Sequence, residues 1–169
     1  MSSALLYARI ADADSLASRL GVLYKSVLED QHNIIQSLLI AYQCEVIEFK
    51  DDTSFIIFEK PEQAVRAAID FEQFICNKKW HNDETINLAI GILWGLHQVS
   101  EASVSDELQL TMGLAAAARG QQVLLSKSLV ENLKGKQVYD FKIHPLSNIQ
   151  LDSKSEITEV FEIEVPGLR

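Results

Sequence analysis

The sequence predicts an α+β domain built on a split βαβ core, with a smaller αβαββ portion at its C-terminal end. The first indication is that short β-rich segments alternate with stretches of helical periodicity. The second is composition, because 47% hydrophobic and 23% charged residues are typical of a globular protein with a real core. The third is length: 169 residues fit one domain, so we expect a single domain over residues 1–169.

The chain is expected to begin with a strand and a long helix. Residues 4–10 form a short apolar run, which predicts the strand. From Leu16 to Leu39 the apolar residues recur with the spacing of one helix face. Asp14 or Ser15 is the expected N-cap, because a side-chain oxygen there can accept from the unpaired amides of the first turn.

A hairpin, a second helix and a strand complete the predicted core. Residues 44–49 and 54–59 are β-rich and flank a polar turn at 50–53. Pro61 suits the first position of the second helix, since its fixed φ is already helical. Residues 86–93 predict the next strand. The resulting order β, α, β, β, α, β is that of a ferredoxin-like core.

The C-terminal portion is predicted to add two helices and three strands. Residues 96–106 are polar and rich in turn formers, which predicts a loop or an irregular hairpin. Residues 110–119, with four consecutive alanines, predict a helix that Gly120 ends. The remaining elements are a strand at 123–125, a helix capped by Ser126 or Ser128 that runs to Leu133, and strands at 137–143 and 159–165.

Charge and targeting signals exclude several classes of function. The net charge is −9 and no basic run is longer than Lys78-Lys79, so we expect neither nucleic acid nor a membrane surface as a partner. The sequence shows no signal-peptide pattern and no apolar run long enough to cross a bilayer. Cys44 and Cys76 are too few for a disulfide framework. We therefore expect a cytoplasmic protein.

Eight local patterns, in order along the chain, resemble the catalytic domain of class III adenylate and guanylate cyclases. They are residues 5–10 (LLYARI), 16–21, 45–52 (EVIEFKDD), 61–68 (PEQAVRAA), 88–92 (LAIGI), 117–119 (AAR), 123–126 (VLLS), and the final hairpin at 152–163. The resemblance extends over about residues 5–163. It implies the class III nucleotidyl cyclase fold and a head-to-tail dimer.

The resemblance also implies a chemistry, which is the cyclisation of a nucleoside triphosphate. This chain departs from the family at residues that the chemistry requires. In the family, two metal ions activate the ribose hydroxyl and neutralise the phosphates, and two aspartates hold them. The first aspartate position falls on Arg9, and the second falls on Asp52, which has Asp51 beside it. A guanidinium offers no lone pair and stays charged, so Arg9 removes a metal ligand and adds a positive charge.

Two interpretations of Asp52 follow, and they can coexist. Its side chain can bond the local backbone, which is why aspartate is favoured in turns. It can also form an ion pair with Arg9 that ties the first strand to the hairpin. We expect no metal and no other cofactor, and the four histidines are scattered without the spacing of metal ligands.

The resemblance implies that the other half of the site is also altered. Ala115 stands at the ribose-binding asparagine position and Met112 at a base-reading position, and neither supplies a comparable hydrogen bond. Arg119 matches the catalytic arginine, although an arginine at a helix end can instead bind the terminal carbonyls. Glu48 resembles the glutamate of guanine-selective members, and Lys154 lies near the triphosphate-binding lysine; both also fit ordinary exposed side chains.

Three hypotheses follow. The first is a catalytically inactive cyclase-like domain that acts as a regulatory or protein-interaction module through cyclase-type dimerisation, either with itself or with a cyclase-type or signalling protein. The second is a metal-independent receptor for a purine nucleotide or cyclic dinucleotide. Its former substrate cleft would use Arg9, Glu48, Asp52, Met112, Arg119 and Lys154. The third is a half-site of a heterodimeric cyclase that contributes Arg119.

Overall fold

The computed structural model describes residues 2–42, 44–96, 101–134, 141–151 and 157–165, which form seven strands and five α-helices. The strands are β1 (Ser2–Ile10), β2 (Cys44–Lys50), β3 (Thr53–Phe58), β4 (Leu88–Leu96), β5 (Gln122–Ser126), β6 (Lys142–Gln150) and β7 (Ile157–Glu164). The helices are α1 (Ala13–Leu20), α2 (Tyr24–Ala41), α3 (Pro61–Asn77), α4 (Glu101–Ala117) and α5 (Lys127–Leu133).

The strands form a mixed sheet in the order β2-β3-β1-β4-β5-β7-β6. β1 lies between β3 and β4 and is antiparallel to both. β4 and β5 are parallel, and α4 makes the crossover between them. β7 then pairs antiparallel with β5, and β6 pairs antiparallel with β7. The predicted α+β class, with its split βαβ core and C-terminal extension, is confirmed.

Local sequence signals set several helix ends. Pro61 is the first residue of α3, as predicted. The Ser126 hydroxyl caps α5 by accepting a hydrogen bond from Leu129 N at 3.2 Å. The cap predicted for the first helix is wrong, because the N-cap residue is Asp12, which has φ 57° and makes no side-chain cap bond. The single long helix is also wrong, because the chain turns at Gly21 (φ 57°) and through one 3₁₀ turn before α2.

Three other boundaries differ from the prediction. α4 begins at Glu101, inside the predicted loop, and ends at Ala117, two residues before Arg119. The strand predicted at 137–143 is observed as β6, which runs on to Gln150, whereas residues 137–140 lie outside the described residues. The side chains of β6 are mostly exposed, so no apolar alternation marked it as a strand. The hairpin turn has two residues, because Lys50 pairs with Thr53.

The two faces of the sheet carry different cores. On the first, which we call the helical face, α1, α2, α3 and α5 cover the even-numbered residues of β1, including Leu6 and Ile10. On the second, the α4 face, α4 covers Leu5 and its neighbours with the side chains of Leu114 and Ala118. Since side chains alternate along a strand, Arg9 belongs to the α4 face.

Two further features are reported for the described residues. None of their helices is long and apolar enough to cross a membrane. Cys44 and Cys76 are free thiols, each half-buried, in agreement with the expectation that no disulfide framework forms.

Candidate functional site

Asp52 and the end of β1 lie side by side. The register pairs Ala8 of β1 with Ser54 of β3, which places the β2–β3 turn next to the last residues of β1. Asp52 Oδ2 accepts a hydrogen bond from Ile10 N at 3.2 Å. The sheet therefore brings together the two positions at which the resemblance places metal ligands.

The guanidinium of Arg9 binds the C-terminal end of α4. Its Nε donates to Ala115 O at 3.1 Å, and its Nη2 donates to Ala118 O at 3.0 Å. The last carbonyls of a helix lack intrahelical partners, and a positive charge there interacts favourably with the helix dipole. Arg9 thus ties β1 to the end of α4 by two charge-assisted hydrogen bonds.

The ion pair predicted between Arg9 and Asp52 is wrong. Among the described residues, the partners of the Arg9 side chain are the two α4 carbonyls, and Asp52 bonds the backbone of β1 instead. The positive charge still acts at longer range, since it lowers the pKa of Asp52. The physical reason is that Arg9 lies on the α4 face, where two carbonyls accept from it directly.

The Asp52 carboxyl lies in a partly buried position. Burial raises its pKa above the ordinary value, and the hydrogen bonds from Ile10 N–H and from its own backbone N–H oppose this. The Asp51 charge raises the pKa further, and Arg9 lowers it by the smallest contribution. The turn-bonding interpretation of Asp52 is confirmed only in part, because its own N–H is a local partner whereas the N–H of Ile10 belongs to β1.

α2 supports the turn from the helical face through Gln31. This buried side chain donates from Nε2 to Asp52 O at 3.0 Å, and its Oε1 has no partner in the part of the chain that is described. Helical periodicity did not single out Gln31 as a site residue. The signal was present, however, because Gln31 stands midway between Val27 and Ile35 on the buried stripe of α2.

The acidic turn also affects Tyr24 at the start of α2. Burial raises the pKa of Tyr24 to about 12, and the charges of Asp52, Asp51 and Asp14 raise it in the same direction. Its hydroxyl therefore faces a region of negative potential. This region holds Asp52 but not Arg9, whose charge is directed toward α4.

α4 places Met112 and Ala115, the two positions that the resemblance implies are altered, in different surroundings. Ala115 is fully buried where α4 approaches β4. A methyl group on Gly91 would lie 2.6 Å from Ala115 N and 2.9 Å from Thr111 O, so only glycine fits beneath the helix. Met112 is 41% exposed on the outer side of α4. The two positions do not share one environment.

Arg119 follows α4 and is exposed. Its backbone N–H donates to Gln122 Oε1 at 2.7 Å, and its carbonyl accepts from Gln122 N at 3.0 Å. Among the described residues, the arginine bound to the carbonyls at the end of α4 is Arg9, so the helix-end role considered for the Arg119 side chain is not observed. Arg119 instead presents its side chain to solvent.

The remaining predicted residues do not join this cluster in the described structure. Glu48 is exposed on β2, where it lies opposite Phe55 of β3. Lys154 lies outside the described residues. In the parts of the chain that are described, no group of three or more His, Cys, Asp or Glu side chains is arranged to hold a metal ion. Arg9, Asp52 and the Ala115 backbone are thus the predicted positions that the fold brings together.

Comparison with known proteins identifies the fold. No family model and no curated protein matches the sequence. A Trypanosoma brucei adenylate cyclase in its monomeric state is similar with a TM-score of 0.86 and 16% identity, over 99% of this chain and 92% of that one. The guanylate cyclase domain of RhGC from Catenaria anguillulae, in complex with GTP, gives a TM-score of 0.77 and 16% identity over 97% of this chain and 96% of that one. The non-canonical dimeric guanylyl cyclase domain of the RhoGC fusion protein from Blastocladiella emersonii gives 0.80 and 16% over 96% and 95%.

These similarities extend over almost the whole of both chains in each pair. The chain therefore has the fold of adenylate and guanylate cyclase catalytic domains, as its resemblance to that family implied. At such low sequence identity the similarity is one of fold, and the site has to be judged from its own residues.

Proposed function

We propose that this chain is a catalytically inactive domain of cyclase fold that acts as a regulatory or protein-interaction module. The observation that carries the proposal is the position of Arg9. Its guanidinium occupies the β1 position at which the resemblance calls for a metal-binding carboxylate, and it is bonded to Ala115 O and Ala118 O. A cation fixed there opposes the binding of metal ions next to Asp52.

The charge balance of the cleft supports this proposal. Two divalent ions need several oxygen ligands, and the described cleft supplies one partly buried carboxylate, Asp52. Burial already disfavours the ionised form of that carboxylate, whose Oδ2 bonds Ile10 N. We therefore infer that the role of Asp52 is to hold the β2–β3 turn against β1.

The α4 side supports it as well. Ala115 has no polar side chain, and Gly91 of β4 packs so closely against α4 that the helix and strand form one tight unit. Arg9 fixes the end of that unit. In this proposal, Arg9 and Ala115 stand where the resemblance implies catalytic side chains, and they stabilise the contact of α4 with the sheet instead.

A retained association surface would give such a domain its function. α4 exposes Met112, Ala116 and Ala117, followed by Arg119, and small residues on a helix allow close approach of a partner. The similar Blastocladiella domain was solved as a non-canonical dimer and also as a monomer, and the Trypanosoma cyclase as a monomer. We propose that this exposed side of α4 is where a second cyclase-type domain packs.

Turnover tests the loss of catalysis. The purified chain is incubated with Mn²⁺ and either ATP or GTP, and cyclic nucleotide is measured against a sample without protein. We expect no product above that background, because Arg9 and Ala115 replace groups that the reaction needs. Robust turnover that depends on the metal would contradict the proposal.

Light scattering at micromolar concentration tests the association. We expect a dimer that Met112→Glu weakens, since the substitution places a charge on the exposed side of α4. Gln36→Glu on the exposed side of α2 is the matched control and should leave the dimer intact. If the chain is monomeric and also leaves the turnover of an active cyclase domain unchanged, the interaction proposal is wrong.

Calorimetry with purine mononucleotides, triphosphates and cyclic dinucleotides separates this proposal from a nucleotide receptor. A receptor that uses Arg9 has to draw the guanidinium toward phosphate, although two of its donors already bind α4. We expect no saturable binding up to millimolar ligand. Binding that is lost in Arg9→Met would favour the receptor instead.

A further inference from the structure

The second unusual polar group of this chain lies on the helical face, in α3. Glu72 is fully buried, and neither carboxyl oxygen has a hydrogen-bond partner among the described residues. Buried polar groups are nearly always bonded, and leaving one unbonded costs stability. A fully buried and unbonded carboxyl is therefore a feature that needs an explanation.

The helical spacing of α3 fixes which side of the helix Glu72 lies on. Asp70 and Lys78 face α2, because Asp70 accepts from Tyr42 Oη and Lys78 Nζ lies 3.5 Å from Asp30 Oδ2. Glu72 is on the opposite flank, in line with the residues three before, seven before and four after it, which are Ile69, Val65 and Cys76.

Two parts of the chain lie on that flank: α5, and the segment that precedes β5. Cys76 Sγ accepts from Gln121 Nε2 at 3.7 Å, and Gln121 Nε2 also donates to Asn87 Oδ1 at 3.0 Å. α3 packs against α5, which contributes Leu129 and Leu133 to the same core. Glu72 thus stands where α3 meets the β5–α5 unit.

The described residues around Glu72 bring little charge to it. On its own helix the titratable neighbour is Cys76, whose thiol pKa is raised by burial and then by the Glu72 charge. Gln121 and Asn87 are uncharged. On this face β1 and β4 present apolar side chains, which are Ala8, Ile10, Leu88 and Ile90. The charged residues of α5 and the residue after it are exposed; they are Lys127, Glu131 and Lys134.

We propose that Glu72 is a proton-dependent switch in the contact between α3 and α5. With the carboxyl protonated, the two helices remain packed. When the proton leaves, the carboxylate has neither a cation nor a donor inside the core, so α3 and α5 must separate enough to admit water. The domain is then tighter on the acidic side of neutral pH and looser on the alkaline side.

The titration falls in a range where the switch can operate. Burial raises the pKa of Glu72 from 4.5 to about 8. A carboxyl with a raised pKa in the folded state binds its proton more tightly there than in the unfolded chain. The stability it contributes is complete below its ordinary pKa and is lost as the pH rises through about 8.

Three measurements test the switch. In the wild-type chain with ¹³C-labelled glutamate, NMR should show one carboxyl that titrates far above the others and disappears in Glu72→Gln. The folding equilibrium constant of the wild type should fall by about tenfold or more relative to Glu72→Gln between about pH 6 and pH 9. Amide protection in α5 should fall over the same range in the wild type alone.

The controls keep both outcomes clear. Glu131→Gln removes an exposed carboxyl on α5 and should behave like the wild type. If Glu72→Gln does not fold, Glu72→Met supplies an apolar side chain of similar length, and the NMR titration needs no variant. A Glu72 carboxyl that titrates with the exposed glutamates, or wild-type and variant stabilities that run parallel over the pH range, would overturn the proposal.

Discussion

The helical face and the α4 face of the same sheet are held by different kinds of contact. On the helical face, large apolar side chains such as Phe71, Ile75 and Leu6 interdigitate beneath four helices. On the α4 face, one helix lies so close to β4 that Gly91 is needed beneath it, and Arg9 binds its last carbonyls. The packing of the helical face can adjust to a change in side-chain size, because its neighbours can change rotamer. The packing of the α4 face cannot, because backbone atoms are in contact there. Arg9 and Ala115, two positions that the resemblance implies are altered, belong to the α4 face.

The largest expected effect comes from adding one methyl group to the α4 face. In Gly91→Ala the new carbon would lie 2.5 Å from Leu114 Cβ and 2.6 Å from Ala115 N, so α4 has to move. We expect a loss of about 3 kcal/mol in the free energy of unfolding, the upper end for overpacking. Chemical denaturation measures it.

The matched control for this variant adds one carbon to the helical face. Val65→Ile extends a buried side chain of α3 among other apolar side chains. We expect a cost of about 1 kcal/mol, because those neighbours can change rotamer. Equal costs for the two variants would mean that the faces do not differ in the way described.

The next effect concerns Arg9. Arg9→Met keeps a long apolar side chain but removes both hydrogen bonds to the end of α4. We expect a loss of about 1–2 kcal/mol in the free energy of unfolding, from two charge-assisted bonds and the helix-dipole interaction. Hydrogen exchange should show the loss of protection concentrated in the last turn of α4.

Arg19→Met is the control for Arg9→Met. Arg19 pairs with Glu84 at 2.8 Å in an exposed position on the helical side of the molecule. Solvent screens exposed ion pairs and they contribute little to stability, so this variant should change stability much less than Arg9→Met does. A cost for Arg9→Met no larger than that for Arg19→Met would show that Arg9 does not fix α4.

Much of the helical face could be predicted from the sequence, and much of the α4 face could not. The periodicity of α3, Pro61 at its start and the Ser126 cap of α5 are local signals. The sequence of the first turns of α4 is polar and predicts a loop. The helix packs closely on β4 because Gly91, which is distant in sequence, has no side chain there. Helix formation there depends on tertiary packing, which periodicity does not report.

The candidate site divides in the same way. The position of Arg9 beside the Asp52 turn could be predicted, since it follows from strand order and register. Its true partners could not, because backbone carbonyls carry no residue-specific signal and the choice between Asp52 and α4 depends on which face Arg9 occupies. Glu72 was missed for a related reason, since a glutamate at that point of a helix is ordinary until its burial is known.

The smallest effect concerns Asp52, which joins the two faces. Asp52→Asn keeps an oxygen that can accept from Ile10 N and removes a carboxylate whose pKa is raised by burial. Because the pKa is higher in the folded than in the unfolded chain, proton binding by Asp52 favours the folded state. This contribution is complete at pH values below the ordinary aspartate pKa and is lost as the pH rises. We therefore expect the variant to gain slightly in relative stability between about pH 4 and pH 7. Denaturation curves at the two ends of that range measure it, and a relative loss over the range would contradict the burial of Asp52.

The central claim is that Arg9 has converted a metal site into a structural contact. Electron paramagnetic resonance of Mn²⁺ titrated into the protein tests it directly, with Arg9→Asp as the variant and Arg19→Asp as the control for the charge change. We predict that the wild type and Arg19→Asp show no saturable Mn²⁺ binding up to millimolar concentration, and that Arg9→Asp gains it. Stoichiometric Mn²⁺ binding by the wild type at micromolar concentration would contradict the claim.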